Sequence, residues 1–287
     1  MFKQEVMAGE KEKTEMPASP LRIGRISYLN LYPIFRGLEK TVEDAGRYRF
    51  LYGHPALVNR RLRKGDVDAS PSSSIVYLKS PADFSLIEGH SISCFGPIRS
   101  IYLFSRLPLT EFRGGTIGVT NQTETSAALL KIVLKKFLGM NFKARVTGLP
   151  AARALQTYGA CLAIGDEAMI AGKQMVKKGQ TGSPFVYDLG LIWKEKTGLP
   201  FVFALWIARK DSVAQNKKAF RRFRRDLERA KQYALAHLEE ASKETPLKGL
   251  APEDVLRYWR GISYGLDPME KKGLALFRKY ARDLDLL

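Results

Sequence analysis

Leu21-Arg22-Ile23-Gly24-Arg25-Ile26-Ser27-Tyr28-Leu29-Asn30-Leu31-Tyr32-Pro33 begins as an apolar run, turns polar at Ser27 and Asn30, and leads directly into a helical stretch from Leu31. A β-run followed at once by a helix is the building unit of α/β proteins, whose ligands sit outside the carboxyl ends of the strands. The helix start that follows leaves backbone N–H groups unpaired and positively polarised, a ready site for an anion. Ser27, Tyr28 and Asn30 bring side-chain donors to the same spot. Asn30 alternatively does no more than cap the helix.

The unit recurs along the chain. Strands are expected at residues 21–28, 47–52, 91–94, 101–104, 116–119, 161–164, 185–188 and 201–207, with amphipathic helical stretches between them, such as 55–64. That is too many strands for one small sheet, so the reading is an α/β protein of two domains with mostly parallel sheets. After Arg209 the pattern becomes helical, with one helix around residues 220–237 and another around 268–284. Phe220, Phe223, Leu227, Ala230 and Ala234 form the apolar stripe of the first; Gly273, Phe277, Tyr280 and Leu284 form that of the second. Such a tail cannot bury its stripes alone and must pack back on an earlier sheet. The expected organisation is an extension at 1–20, a discontinuous first domain of 21–100 plus 208–287, and a second domain at 101–207. The two chain crossings, near 100–104 and 201–207, would form a two-stranded hinge beside a ligand cleft.

Composition narrows the class. The 287 residues are 45% hydrophobic and 26% charged, ordinary for a globular chain. No apolar run approaches the roughly 18–20 residues needed to cross a bilayer, and charges alternate through residues 1–20 where an export signal would be apolar, so a cytoplasmic protein without membrane insertion is expected. Cys94 and Cys161 stand among apolar neighbours and read as small buried hydrophobes; with His54, His90 and His237 scattered, no metal site is expected. The net charge of +18 favours anionic ligands. Its densest run, 217–231, lies on the helix with the Phe220 stripe and reads as a solvated outer face, the alternative being a nucleic-acid or membrane contact. The aromatic residues of this run belong to the apolar stripe, and none interleaves with the basic face as single-strand binders require. Dinucleotide-binding, Walker, nucleophile-elbow and zinc-protease motifs are all missing from the sequence.

Four further polar turns resemble the first. Residues 66–75 end in Ser70-Pro71-Ser72-Ser73-Ser74, more hydroxyls than one cap needs, which nominates Ser72 and Ser73 as ligand contacts. Residues 93–100 contain a Gly96-Pro97 turn followed by Arg99 and Ser100 at the expected hinge. A guanidinium suits bidentate recognition of a carboxylate, of a ligand or of the protein itself. Thr120-Asn121-Gln122-Thr123-Glu124-Thr125-Ser126 follows a strand and precedes a helix, offering Thr120, Gln122, Thr123 and Thr125 from the second domain. Asp166 and Glu167 open the helix after strand 161–164, where a carboxylate either serves the ligand, as a base if partly buried, or simply favours the helix dipole. A cleft with donors on both walls suits a compact anion bearing more than one carboxylate.

Taken jointly, residues 25–30 with Pro33, Pro71-Ser72-Ser73, residues 91–93 with 96–100, Ile164-Gly165-Asp166-Glu167-Ala168, and Tyr187-Asp188-Leu189-Gly190 leading to Trp193 and 197–204 resemble the chorismate dehydratase family of the futalosine route to menaquinone. The likeness runs from about Leu21 to the last helix. It departs at 120–126, where the family carries a Ser/Thr-rich turn lacking Asn-Gln. The resemblance implies a type II periplasmic-binding-protein-like fold used by a cytoplasmic hydro-lyase, and conversion of chorismate, a dicarboxylate, to 3-[(1-carboxyvinyl)oxy]benzoate without metal or organic cofactor. Asn30 and Ser100 are the expected catalytic pair. Ser27, Tyr28, Ser72, Ser73, Arg99, Thr120, Gln122, Thr123, Thr125 and Asp166 are the expected substrate contacts. The sister dihydroxynaphthoate synthase, whose first turn is expected to differ from Ser-Tyr-Leu-Asn, and a non-catalytic carboxylate-binding protein are the competing readings.

Overall fold

The computed structural model describes residues 20–112, 114–178, 183–245, 247 and 249–287. Apart from Pro20, the expected N-terminal extension lies outside the described residues. The strands in chain order are β1 (Leu21–Ile26), β2 (Tyr48–Gly53), β3 (Ala69–Ser73), β4 (Phe84–Cys94), β5 (Ile101–Ser105), β6 (Thr116–Thr120), β7 (Lys143–Thr147), β8 (Ala160–Ile164), β9 (Phe185–Asp188) and β10 (Phe201–Arg209). They form two five-stranded sheets, ordered β2-β1-β3-β10-β4 and β7-β6-β8-β5-β9.

Helices fill the connections: α1 (Tyr32–Thr41), α2 (Pro55–Lys64), α3 (Ser74–Lys79), α4 (Thr125–Lys131), α5 (Ala151–Tyr158), α6 (Gly165–Lys178) and α7 (Leu189–Thr197), then the tail α8 (Lys210–Gln215), α9 (Lys217–Ala236), α10 (Leu238–Lys243), α11 (Pro252–Arg260) and α12 (Pro268–Asp283). A wider π-turn at Ile132–Phe137 continues α4.

The sheets are mixed, which corrects the expectation of mostly parallel pairing. β1 runs parallel to β2 and β3, and β6 parallel to β7 and β8, as helical crossovers require. β10 is antiparallel to both of its neighbours, and so is β5. Each of these two strands follows a passage of the chain from one sheet to the other, not a helical crossover within its own sheet, so nothing constrains it to run parallel. The passages fall at 95–100 and 198–200, just ahead of β5 and β10.

One strand takes in a run that the sequence reads as the turn after it, and another carries no sequence signal. β3 consists of Ala69-Ser70-Pro71-Ser72-Ser73, with a proline inside a central strand, normally a sign against one. It is tolerated because pairing of β3 with β1 is limited to Ala69, opposite Ile23. β7 is an edge strand, almost wholly exposed, and lacks the apolar alternation that marks a half-buried strand.

The apolar stripe of α9 is buried throughout, and Phe223 packs on Tyr48 and Trp206 of the first sheet. α1 lies so close to α9 that a Cβ on Gly37 would stand 2.3 Å from the Ala230 carbonyl oxygen. α12 also packs back on the first sheet, where Phe277 meets Phe201 of β10; Phe277 and Tyr280 further meet Trp193 of α7, and Tyr280 meets Phe137. Cys94 and Cys161 are buried and unpaired.

Candidate functional site

A cleft lies between the two sheets. Its polar lining comes from the strand-to-helix turns: Tyr28 and Asn30 ahead of α1, Ser73 ahead of α3, Thr123, Thr125 and Ser126 around the start of α4, and Ser100 ahead of β5. Gly165, the first residue of α6, completes the rim, while Ile26, Ile101, Ile164 and Phe203 form an apolar wall. Several helix starts therefore point their positive ends at one space, which favours an anion. Among the described residues, the lining includes no Asp, Glu, His, Lys or Arg.

Asn30 stands out within the lining. Its side-chain Oδ1 is buried and has no hydrogen-bond partner among the described residues, although buried polar groups are nearly always paired. Its backbone is held firmly, the Asn30 carbonyl accepting from Tyr264 Oη at 2.9 Å and the neighbouring Leu29 carbonyl from Trp259 Nε1 at 2.7 Å. The carboxamide oxygen is left without a partner among the described residues while the chain around it is fixed. Ser100 is buried, and its carbonyl accepts from Gly165 N at 2.7 Å.

The two walls are tied to each other by hydrogen bonds. Tyr28 donates its phenol proton to Gln122 Oε1. Thr125 Oγ1 accepts from Ile75 N at 3.2 Å. Asn59 donates to Ser73 Oγ at 3.0 Å and to Glu124 Oε1 at 2.9 Å. Asp166 Oδ1 accepts from Leu29 N at 2.9 Å, so this carboxylate caps the first turn of the opposite wall. Burial pushes the Asp166 carboxyl above its usual range, and the Leu29 N–H only partly offsets that.

Of the residues singled out from sequence, Tyr28, Asn30, Ser73, Ser100, Thr123 and Thr125 line the cleft together. The others lie apart from the lining. Ser27 is exposed. Ser72 is fully buried and pairs with Ser70 at 2.7 Å, because alternation along β3 sends residues 70 and 72 to one face and 71 and 73 to the other. Arg99 adopts a left-handed backbone with φ 59°, fixed by Asp188, which accepts from Arg99 N at 2.7 Å and Ile98 N at 3.0 Å. Its guanidinium reaches the Pro97 carbonyl at 3.4 Å and, among the described residues, pairs with no carboxylate. Thr120 Oγ1 accepts from Gln122 N at 3.4 Å within its own turn, and Gln122 and Asp166 serve as the cross-cleft ties already described.

Sequence reasoning missed Ser126 and the apolar wall, whose strand residues look like ordinary core, and it missed the support from Tyr258, Trp259 and Tyr264. The last three sit in the helical tail, more than 150 residues from the turns they contact, and no local pattern announces them.

Comparison with known proteins agrees with this architecture. A Thermus thermophilus protein named chorismate dehydratase is 29% identical over 271 residues, covering 90% of this chain and 94% of that one. A solved protein of Archaeoglobus fulgidus is similar with a TM-score of 0.75 at 16% identity, covering 94% of this chain and 99% of the other. The alkanesulfonate-binding protein of Xanthomonas axonopodis pv. citri, solved with MOPS bound, gives a TM-score of 0.64 at 17% identity, covering 95% and 96%. These likenesses show the fold, that of the periplasmic binding proteins, two α/β lobes with a cleft between them. The sequence profile of the family described as menaquinone biosynthesis matches residues 21–283, and the chain belongs to that family.

Proposed function

We propose that this protein is a chorismate dehydratase, a hydro-lyase that converts chorismate to 3-[(1-carboxyvinyl)oxy]benzoate and water in menaquinone biosynthesis. The observation that carries the reading is the unpaired, buried carboxamide oxygen of Asn30 in a cleft of hydroxyls and helix starts, in a chain similar over most of its length to a protein bearing that name. Chorismate presents two carboxylates, a ring hydroxyl and an apolar ring edge. Hydroxyls and helix starts suit the carboxylates, and the wall of Ile26, Ile101, Ile164 and Phe203 suits the ring.

The elimination breaks the C–H bond at the ring carbon bearing the enol ether and the C–O bond of the neighbouring hydroxyl. The C–H electron pair becomes the third ring double bond, and the proton and hydroxide leave as water. Because aromatisation drives the reaction, the protein supplies orientation and help for the departing hydroxyl. With no titratable acid, histidine or lysine among the described lining residues, the enolpyruvyl carboxylate of the substrate takes the ring proton. Asn30 and Ser100 hold that carboxylate and the leaving hydroxyl in register.

Incubation with chorismate, followed by mass and ultraviolet spectrum, tests the reading. An aromatic product lighter by one water supports it, and Asn30→Ala and Ser100→Ala should each lower turnover by about 100-fold or more. Unchanged chorismate would refute it, and wild-type turnover in both variants would refute the residue assignment.

A further inference from the structure

Ser100 is fixed on every side except the cleft. Asp188 fixes the backbone just before it, and Gly165 N donates to its carbonyl. Among the described residues its hydroxyl has one hydrogen-bonding neighbour, the phenol of Tyr258 in α11, at 2.9 Å. Tyr258 is 2% exposed, and among the described residues its hydroxyl bonds only Ser100. A serine oxygen that accepts a hydrogen bond from one side turns its own hydrogen to another. The remaining open side of Ser100 is the cleft it lines.

We propose that Tyr258 is a positioning residue that donates to Ser100 and thereby fixes the serine hydroxyl as a donor aimed at the leaving hydroxyl of the substrate. The inference rests on the dehydratase reading and adds to it a group that touches no substrate atom. No proton leaves Tyr258 in this role: burial pushes its phenol well above the ordinary range, against the contact with Ser100, so it stays protonated and keeps the hydrogen it donates to Ser100. Tyr264 is a built-in control. It is equally enclosed and lies in the same tail, but its hydroxyl donates to the Asn30 backbone and does not reach Ser100.

The test is a mutant cycle on the full chain with chorismate as substrate. Tyr258→Phe should lower kcat about tenfold while KM changes less than about twofold, since the interaction it orients is made with the departing group. In a Ser100→Ala background, Tyr258→Phe should cost nothing further, because the group it orients is gone. Tyr264→Phe should combine additively with Ser100→Ala. A merely structural role would make the two tyrosines behave alike. Wild-type kcat in Tyr258→Phe, or additive losses in the double variant, would overturn the proposal. If the phenylalanine variant does not fold, Tyr258→Met, which fills the space without a hydroxyl, carries the same expectations. An inactive wild-type protein overturns the dehydratase reading and this inference with it, whereas an active one with unaffected Tyr258→Phe overturns the inference alone.

Discussion

Substituting alanine at Gly165 measures how tightly the cleft is drawn together. The residue sits at φ +70°, and a Cβ there would stand 2.8, 2.9 and 3.0 Å from three ring carbons of Tyr28 on the opposite wall. The left-handed backbone costs an L-residue about 1–2 kcal/mol. Displacing a packed ring costs about 1–3 kcal/mol more. Gly159 separates the two contributions, since it has φ +74° and nothing within 4 Å of the added methyl. Gly159→Ala should therefore lose about 1–2 kcal/mol of stability and keep its turnover. Gly165→Ala should lose about 2–5 kcal/mol and, because the Tyr28 ring cannot move without disturbing its bond to Gln122 and the adjacent Asn30, lower kcat/KM by about 5- to 150-fold. Urea unfolding and chorismate consumption read the two effects. If Gly165→Ala proved as stable and as active as Gly159→Ala, the contact between the walls would not exist in solution.

Asp166 distinguishes a cap from a base: Asp166→Asn keeps an oxygen for the Leu29 N–H and should retain turnover within about fivefold, whereas a general base would lose about 100-fold or more in a chorismate assay. His90 is buried, and burial, with a smaller contribution from Lys231 and against the pull of Glu228, pushes its pKa down to about 4. An unfolded histidine titrates near 6.5, so between about pH 6.5 and 4 the unfolded chain binds the extra proton, and roughly 3 kcal/mol of stability present above that window is lost as pH falls through it. His90→Asn should flatten this part of the profile in urea melts across pH; an unchanged profile would exclude the assignment. Burial raises the Asp68 carboxyl, but Arg22, through its side chain and its backbone N–H, and Ser212 outweigh this and hold it below the usual carboxylate range. Its contribution is therefore present above about pH 4 and disappears at lower pH, so Asp68→Asn should lower the melting temperature at neutral pH and bring it level with the wild type in strong acid.

The first turn shows how far local reading goes. A strand, a polar turn and a helix were legible at residues 21–41 because each rests on periodicity and capping within a few residues. The cleft position of Asn30 follows from that geometry. The same reasoning nominated Ser27 and Ser72 beside Tyr28 and Ser73, and there it lacked register. Which of two neighbouring serines faces the cleft depends on how the strand is seated in its sheet, and a shift of one residue exchanges the faces. Arg99 was chosen for its charge, yet its left-handed backbone, set by Asp188 nearly 90 residues later, directs the guanidinium elsewhere.

The sequence by itself determined the α/β class, the burial of the α9 stripe, the polar character of the turns and, through their joint pattern, the family. These are properties of short segments, fixed by residue type and spacing. The tertiary structure decided which turns share one cleft, which of their side chains face it, and which distant residues hold them there. Tyr258, Trp259 and Tyr264 are ordinary aromatic residues of a helical tail until the fold brings their polar atoms to Ser100, Leu29 and Asn30. Burying a polar aromatic is favourable only where a partner waits, and that partner is supplied by the packing of the whole chain.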